Sequence, residues 1–179
     1  MLAALTLALL LSLTGLPSLA QEALSPRLQI GISILPAIIA ANKRLANDDE
    51  QTLPIYLVYQ DNRHLAEQLI PHLGKIGKIR KHTIRIESIS IEELLASNPV
   101  PASTIFLAEP MGDDLSDMLG FAQRKRVLLF SPFEGDVERG VTTGFRVTDK
   151  VLPMVNMTSL KQSNIQLKAF FLRVAVKHE

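Results

Sequence analysis

Few residues in the chain have the types and spacing needed for chemistry. The four histidines of the 179 residues show neither i, i+4 pairing nor an HExxH pattern, so they do not predict a zinc site. Ser131 lacks the G-x-S-x-G elbow of a hydrolase, and the absence of cysteine excludes thiolate ligands and cysteine nucleophiles. We therefore expect a protein that is not an enzyme and binds no metal or cofactor. An enzyme whose catalytic residues meet only in the fold stays open.

Two clusters of charge have alternative interpretations. Asp113, Asp114 and Asp117 suit the first turn of a helix, where the dipole favours carboxylates, better than a pair of acid and base catalysts. The densest basic cluster can steer an acidic partner, an anionic lipid or a glycan, or it is only a solvated patch. Its members are Lys75, Lys78, Arg80 and Lys81. The formal net charge of +1 argues against a nucleic-acid-binding protein.

A polar loop, residues 133–140, follows a strand predicted to end near Phe130. Open α/β sheets bind ligands at the carboxyl ends of their strands, so this loop is the preferred binding surface. The predicted partner-binding residues are Glu134, Asp136, Glu138 and Arg139.

The elements that position this loop alternate between strand and helix. Apolar runs predict strands at 53–59, 83–89, 104–108 and 127–130, and helical spacing predicts helices at 62–73, 91–96 and 113–125. Parallel strands need crossovers, so the pattern predicts an α/β fold, a three-layer sandwich with a mostly parallel sheet. We expect a first helix from Gly31 to near Asn47, a C-terminal antiparallel hairpin of strands 141–147 and 151–156, and a terminal helix over 165–176.

The N-terminal segment predicts export. Leu2 to Leu16 is apolar and uncharged, and Pro17, Ser18 and Ala20 follow it as at a signal-peptidase site. We expect a signal peptide over residues 1–20, cleaved after Ala20, and one α/β domain over residues 21–179 in the periplasm. An uncleaved anchor or a buried first helix is the alternative.

The C-terminal third resembles the YfiR-like family of small periplasmic proteins. The hairpin exit matches the family's Ile-Asn-Leu type strand end, and the terminal segment matches its Leu-Leu-Arg-Leu-Ala type signature. The matching residues are Val155, Asn156 and Met157, then Phe171, Leu172, Arg173, Val174 and Ala175, with Gly140 upstream in the family's glycine-containing segment. The cysteine pairs of some members are absent, which excludes redox sensing here.

The resemblance implies a non-enzymatic regulatory protein in which Gly140, Asn156 and Arg173 have structural roles. In the best-known members the protein holds a membrane-bound diguanylate cyclase inactive through contact with its periplasmic sensor domain. We therefore expect the partner to be a membrane-bound sensor or diguanylate cyclase. A small periplasmic solute-binding protein serving a transporter or receptor is the alternative, and a homodimer through the aliphatic helices stays open.

Overall fold

The computed structural model describes residues 24–46, 51–99 and 103–179. The predicted signal peptide and its cleavage site lie outside these residues. The helices are α1 (Pro26–Ala41), α2 (Arg63–Gly74), α3 (Ile91–Ala96), α4 (Leu115–Lys125), α5 (Met157–Gln162) and α6 (Ala169–Val174). The strands are β1 (Thr52–Tyr59), β2 (Lys78–Ile79), β3 (His82–Ser90), β4 (Thr104–Leu107), β5 (Leu128–Phe130), β6 (Thr143–Val147), β7 (Val151–Asn156) and β8 (Val176–His178).

All eight strands join one sheet in the order β2-β3-β1-β4-β5-β6-β7-β8. The five strands from β3 to β6 in this order run parallel to their neighbours. The outer pairs β2–β3 and β6–β7 are antiparallel, and β8 runs parallel to β7. The predicted mostly parallel sheet and C-terminal hairpin are therefore confirmed. After β1 the chain forms β3 on one side of it, and it then crosses to form β4 on the other side. The topological switch point therefore lies between β1 and β4.

Helices cover both faces of this sheet because its central strands are apolar on both sides. One core cluster joins α1 and α2 to residues such as Leu53, Ile55 and Phe130. The other joins α3 and α4 to Val58, Ile105 and neighbouring side chains. This division is the three-layer arrangement expected when crossover helices bury both faces of parallel strands. Within the described residues, no helix is long and apolar enough to cross a bilayer.

The first helix differs from its predicted bounds. It begins at Pro26 instead of Gly31, because the Ser25 side chain accepts a hydrogen bond from the Leu28 amide and proline fits the first helical position. It ends at Ala41, and Arg44 begins a separate 3-10 turn. The predicted end near Asn47 lies outside the described residues.

The predicted terminal helix over 165–176 is wrong over half of its length, because only Ala169–Val174 is helical. Backbone hydrogen bonds from Lys43 to Gln166 (2.8 Å) and from Lys168 to Ala41 (2.9 Å) hold residues 165–168 extended against the end of α1. Only α6 is helical, and β8 then adds a last strand to the sheet. The extended backbone satisfies its polar groups on α1 and β7, which the apolar pattern alone does not reveal.

Other ends differ by local capping. Asn62 accepts the hydrogen bond that begins α2. Asp113 and Asp114 lie in a 3-10 turn before α4, and Asp114 makes no side-chain capping bond. Ser90 and Glu93 form a capping box at the start of α3.

Candidate functional site

The sheet diverges between β5 and β6. Their register contains one pair, Phe130 with Thr143, so β6 begins beside the point where β5 ends. The β6–β7 hairpin therefore extends beyond the carboxyl end of β5. The connecting segment, residues 131–142, lies in the gap that this offset creates.

Buried polar contacts fix this connecting segment. The Ser131 hydroxyl donates to the Asp136 carboxylate at 2.6 Å, and the Phe133 amide donates to Ser131 Oγ at 3.1 Å. The Asn156 side chain donates to the Val137 carbonyl at 2.9 Å. A buried carboxylate in such a network is costly to leave unpaired, so these contacts hold one loop conformation.

Gly144 on β6 allows the loop to approach the strand. A Cβ atom at Gly144 would lie 2.7 Å from the Ser131 carbonyl oxygen and 2.7 Å from Val137 Cγ2. Both distances are shorter than van der Waals contact, so a side chain at this position would push the loop off the hairpin. The absence of a side chain at residue 144 is thus a condition for the geometry of the loop.

A groove of about 310 Å³ lies between the loop, the hairpin and the start of α1. Its apolar lining includes Phe133, Val137, Phe145 and Met154, and its charged lining comprises Arg27, Glu134, Glu138 and Arg146. We call this the β6 groove. Apolar surface beside a few convergent charges is the usual composition of a binding site.

Arg27, at the start of α1, links the two sides of the β6 groove. Its guanidinium carbon lies 5.0 Å from the centre of the Phe145 ring, its Nε donates to the Pro132 carbonyl at 2.7 Å, and its Nη1 lies 3.3 Å from Glu134. The ring, the carbonyl and the carboxylate each favour a cation at this point. Arg27 is therefore held in place and remains partly accessible to a bound partner.

A second ion pair lies on the hairpin side of the groove. Arg146 Nη2 and Glu138 Oε1 are 3.2 Å apart, and both side chains are exposed. Solvent-exposed pairs of this kind contribute little to stability, so their charges can be redirected to a partner at small cost. Val137, Phe145 and Met154 are buried at the base of the β6 groove, so two cations and two carboxylates dominate its accessible surface.

Three of the four predicted contact residues lie on two different surfaces, and the fourth is buried. Glu134 and Glu138 line the β6 groove. Asp136 is buried, with its side chain 6% exposed, and its carboxylate is bonded within the loop. Arg139 Nη2 donates to the Gly112 carbonyl at 2.8 Å and lines a different, smaller pocket of about 180 Å³ beside α4 and α5.

Sequence reasoning missed Arg27, Phe145 and Arg146. Arg27 precedes the loop by more than one hundred positions, so only the packing of α1 against Pro132 brings it there. Arg146 lies at the exposed end of β6, and its position as the one charged residue of that strand was a signal that could have singled it out.

At the switch point between β1 and β4, a carboxylate of the chain itself caps the start of α2. Glu109 follows β4, and its Oε1 accepts hydrogen bonds from the consecutive amides of Gln60, Asp61 and Asn62 at 2.6, 2.8 and 2.9 Å. Consecutive amides at the start of a helix form an anion-binding arrangement. Here the chain's own carboxylate occupies it.

The basic cluster lies at the opposite, amino edge of the sheet. Lys75, Lys78, Arg80 and Lys81 are all exposed and surround the end of α2 and the β2–β3 turn. Arg80 Nε donates to the Ala40 carbonyl at 3.0 Å. The structure therefore brings these cations together, far from the predicted contact loop.

Of the three residues expected to be structural, Gly140 and Asn156 make close contacts within the fold. Gly140 has a φ of +122°, and a Cβ there would lie 3.0 Å from Leu119 Cδ1. The Asn156 side chain caps α5 by accepting from the Ser159 amide at 2.8 Å. Arg173 is exposed in the last turn of α6. Among the described residues, no group of three or more histidine, cysteine or acidic side chains is arranged to hold a metal ion.

No family model matches the chain, and no curated protein matches it in sequence. Among solved structures, it is similar to a conserved domain protein from Vibrio cholerae, with 14% identity, a TM-score of 0.56, and coverage of 87% of this chain and 61% of that one. A second similar structure is the ABC domain in complex with L-Trp from Streptococcus pneumoniae, with 11% identity, a TM-score of 0.49, and coverage of 84% and 60%. The chain thus spans about three fifths of each. At these identities the first likeness shows the fold alone.

Proposed function

We propose that the chain is a non-enzymatic periplasmic regulatory protein that binds the extracytoplasmic part of a membrane-bound sensor or diguanylate cyclase through the β6 groove. The observation that carries this proposal is the groove itself, a charged opening between the Arg27–Glu134 and Arg146–Glu138 pairs. The YfiR-like resemblance of the C-terminal third supports the choice of partner.

The arrangement of the groove suits a protein segment. Two cations and two carboxylates dominate its accessible surface, and each can find a counter-charge on a partner. The buried Ser131–Asp136 bond keeps the loop in one conformation before binding, which lowers the ordering cost of association. A regulatory module needs such a rigid surface and no catalytic group.

The test is affinity capture from solubilised membranes of the native host, with mass spectrometry of the captured proteins. The baits are the wild-type protein, Arg146→Glu, and Lys78→Glu as a matched control with the same charge change at the opposite edge of the sheet. We expect the wild type and Lys78→Glu to capture a sensor or cyclase. Arg146→Glu should lose it, because the new carboxylate repels Glu138 and removes a cation from the groove.

Equal capture by all three baits would place the partner surface elsewhere. Capture of permease subunits alone, or of no membrane protein, would reject a regulatory partner.

A small solute is the second candidate, because a groove of about 310 Å³ is within the size range of ligand pockets. This candidate predicts that a zwitterionic solute such as a free amino acid raises the melting temperature of the wild type and not of Arg146→Glu. A library of amino acids and small carboxylates in a thermal-shift assay checks it. A regulatory protein without a solute shows no shift with any member.

A further inference from the structure

The C-terminal segment is net basic. Residues 150–179 contain five lysine and arginine residues and one acidic residue, Glu179. The whole chain has 19 basic and 18 acidic residues, so the remainder is net acidic. An excess of cations over carboxylates is therefore found at this end of the chain, which forms β7, α5, α6 and β8.

Within this segment, α6 exposes two large apolar side chains. Phe170 and Val174 are 57% and 59% exposed, more than any other large apolar side chain in residues 24–46, 51–99 and 103–179. They are four positions apart and so lie on one face of the helix. Phe171 is buried and fixes α6 against the core, so the exposed face is held outward.

Cations flank this apolar pair. Arg173 is exposed on α6 next to Val174, and Lys177 is exposed on β8, the edge strand that follows. We call Phe170, Arg173, Val174 and Lys177 the α6 surface. Apolar side chains beside lysine and arginine, with no acidic residue between them, are the composition that binds an anionic membrane surface.

We propose that the α6 surface docks on an anionic phospholipid surface. Phe170 and Val174 enter the interface between headgroups and acyl chains, and Arg173 and Lys177 lie among the phosphates. The proposal concerns a surface other than the β6 groove, so it stands or falls independently of the proposed function.

The size of the patch favours lipid over a protein partner. A stable protein interface buries on the order of 1,000 Å² or more with matched shape, whereas two side chains of one six-residue helix cover far less. A bilayer needs no matching pocket, since its acyl region accepts any apolar side chain and its headgroups accept any cation. Binding of this kind is weak, reversible and sensitive to salt.

The test is flotation with vesicles of phosphatidylcholine, with and without phosphatidylglycerol, using the protein as purified after expression of the whole gene. All variants share the same N-terminus, so differences between them report the α6 surface. We expect binding to the anionic vesicles only, falling as salt rises. Phe170→Ser and Arg173→Glu should each reduce it about tenfold, because each removes one of the few contributions to a weak interaction.

Two controls separate this surface from its rivals. Val151→Ser removes an exposed valine of the β6–β7 hairpin, and Lys78→Glu removes a cation of the basic cluster; neither should change vesicle binding. Both residues changed on α6 are exposed, so the melting temperatures should stay at the wild-type value. Vesicle binding that survives Phe170→Ser and Arg173→Glu, that is lost with Lys78→Glu, or that is absent in the wild type would overturn the proposal.

Discussion

The carboxyl edge of the sheet is closed between β1 and β4 and open between β5 and β6. In the closed region Glu109 accepts three backbone hydrogen bonds from residues 60–62. In the open region β5 ends beside the start of β6, and the β6 groove forms in the offset. Open α/β sheets usually bind ligands at the switch point, and here the chain's own carboxylate fills that position. The place of a candidate site thus depends on which positions the chain fills with its own side chains as well as on topology.

The carboxylates of the two regions differ in how many partners they have within the chain. Glu109 Oε1 serves three donors at once, so moving it would leave three amides without a partner. Glu134, with its side chain 89% exposed, and Glu138 each pair with one arginine at the surface. Loss of the carboxylate in the closed region should therefore lower the free energy of unfolding more. The carboxylates of the open region are accessible to a partner.

We expect the largest loss of stability from a substitution that displaces the loop of the open region. Gly144→Ala places a Cβ 2.7 Å from the Ser131 carbonyl oxygen and should reduce the free energy of unfolding by about 3 kcal/mol, as overpacking against backbone does. Urea denaturation measures it, and partner capture should fall with the displaced loop. Gly74→Ala is the control, because no atom lies within 4 Å of its new Cβ. Equal stability of the two variants would show that the loop does not depend on contact with β6.

The next effect concerns the closed region. Glu109→Ala should reduce the free energy of unfolding by about 2 kcal/mol, because hydrogen bonds to a charged acceptor are lost and three amides remain. Glu109→Gln should lose less, since its amide oxygen still accepts. Both variants should capture the partner as the wild type does. A stable Glu109→Ala protein that no longer binds its partner would make the switch point the functional site.

We expect the smallest of the three losses of stability from substitution of Arg27. Arg27→Ala should reduce the free energy of unfolding by about 1 kcal/mol, through loss of the contact with Phe145 and the bond to the Pro132 carbonyl. Arg27→Lys keeps a cation over the ring but loses the fixed donor geometry. Its stability should therefore lie between those of the wild type and Arg27→Ala. Thermal and urea denaturation check the order, and a Lys variant less stable than the Ala variant would contradict it.

Much of the fold could be predicted because the central strands and α2 to α4 carry strong periodic patterns. The capping box at Ser90 and the hairpin of β6 and β7 have local sequence patterns, and both are present in the structure. The edge strands β2 and β8 have two and three residues, too few to show alternation, and they form only because a neighbour offers free backbone groups. Residues 165–168 were mistaken for helix for the same reason.

Only the loop of the candidate site could be predicted from the sequence. The rule that ligands bind at the carboxyl ends of strands led to residues 133–140, and Glu134 and Glu138 do line the groove. The rule could not show that Asp136 turns inward to Ser131, because burial of a carboxylate depends on the packing around it. Nor could it join Arg27 to Glu134, since that contact exists only once α1 packs on the sheet.

The most direct test of the account is photo-crosslinking in intact cells, with a photoreactive amino acid in place of Glu134 in the open region or Asp61 in the closed one. Both residues are exposed at the same edge of the sheet, so access to the probe is matched. The account predicts a crosslink from position 134, and none from position 61, to a membrane-bound sensor or cyclase. A crosslink from position 61 alone, or from neither position, would contradict the assignment of the β6 groove as the binding site.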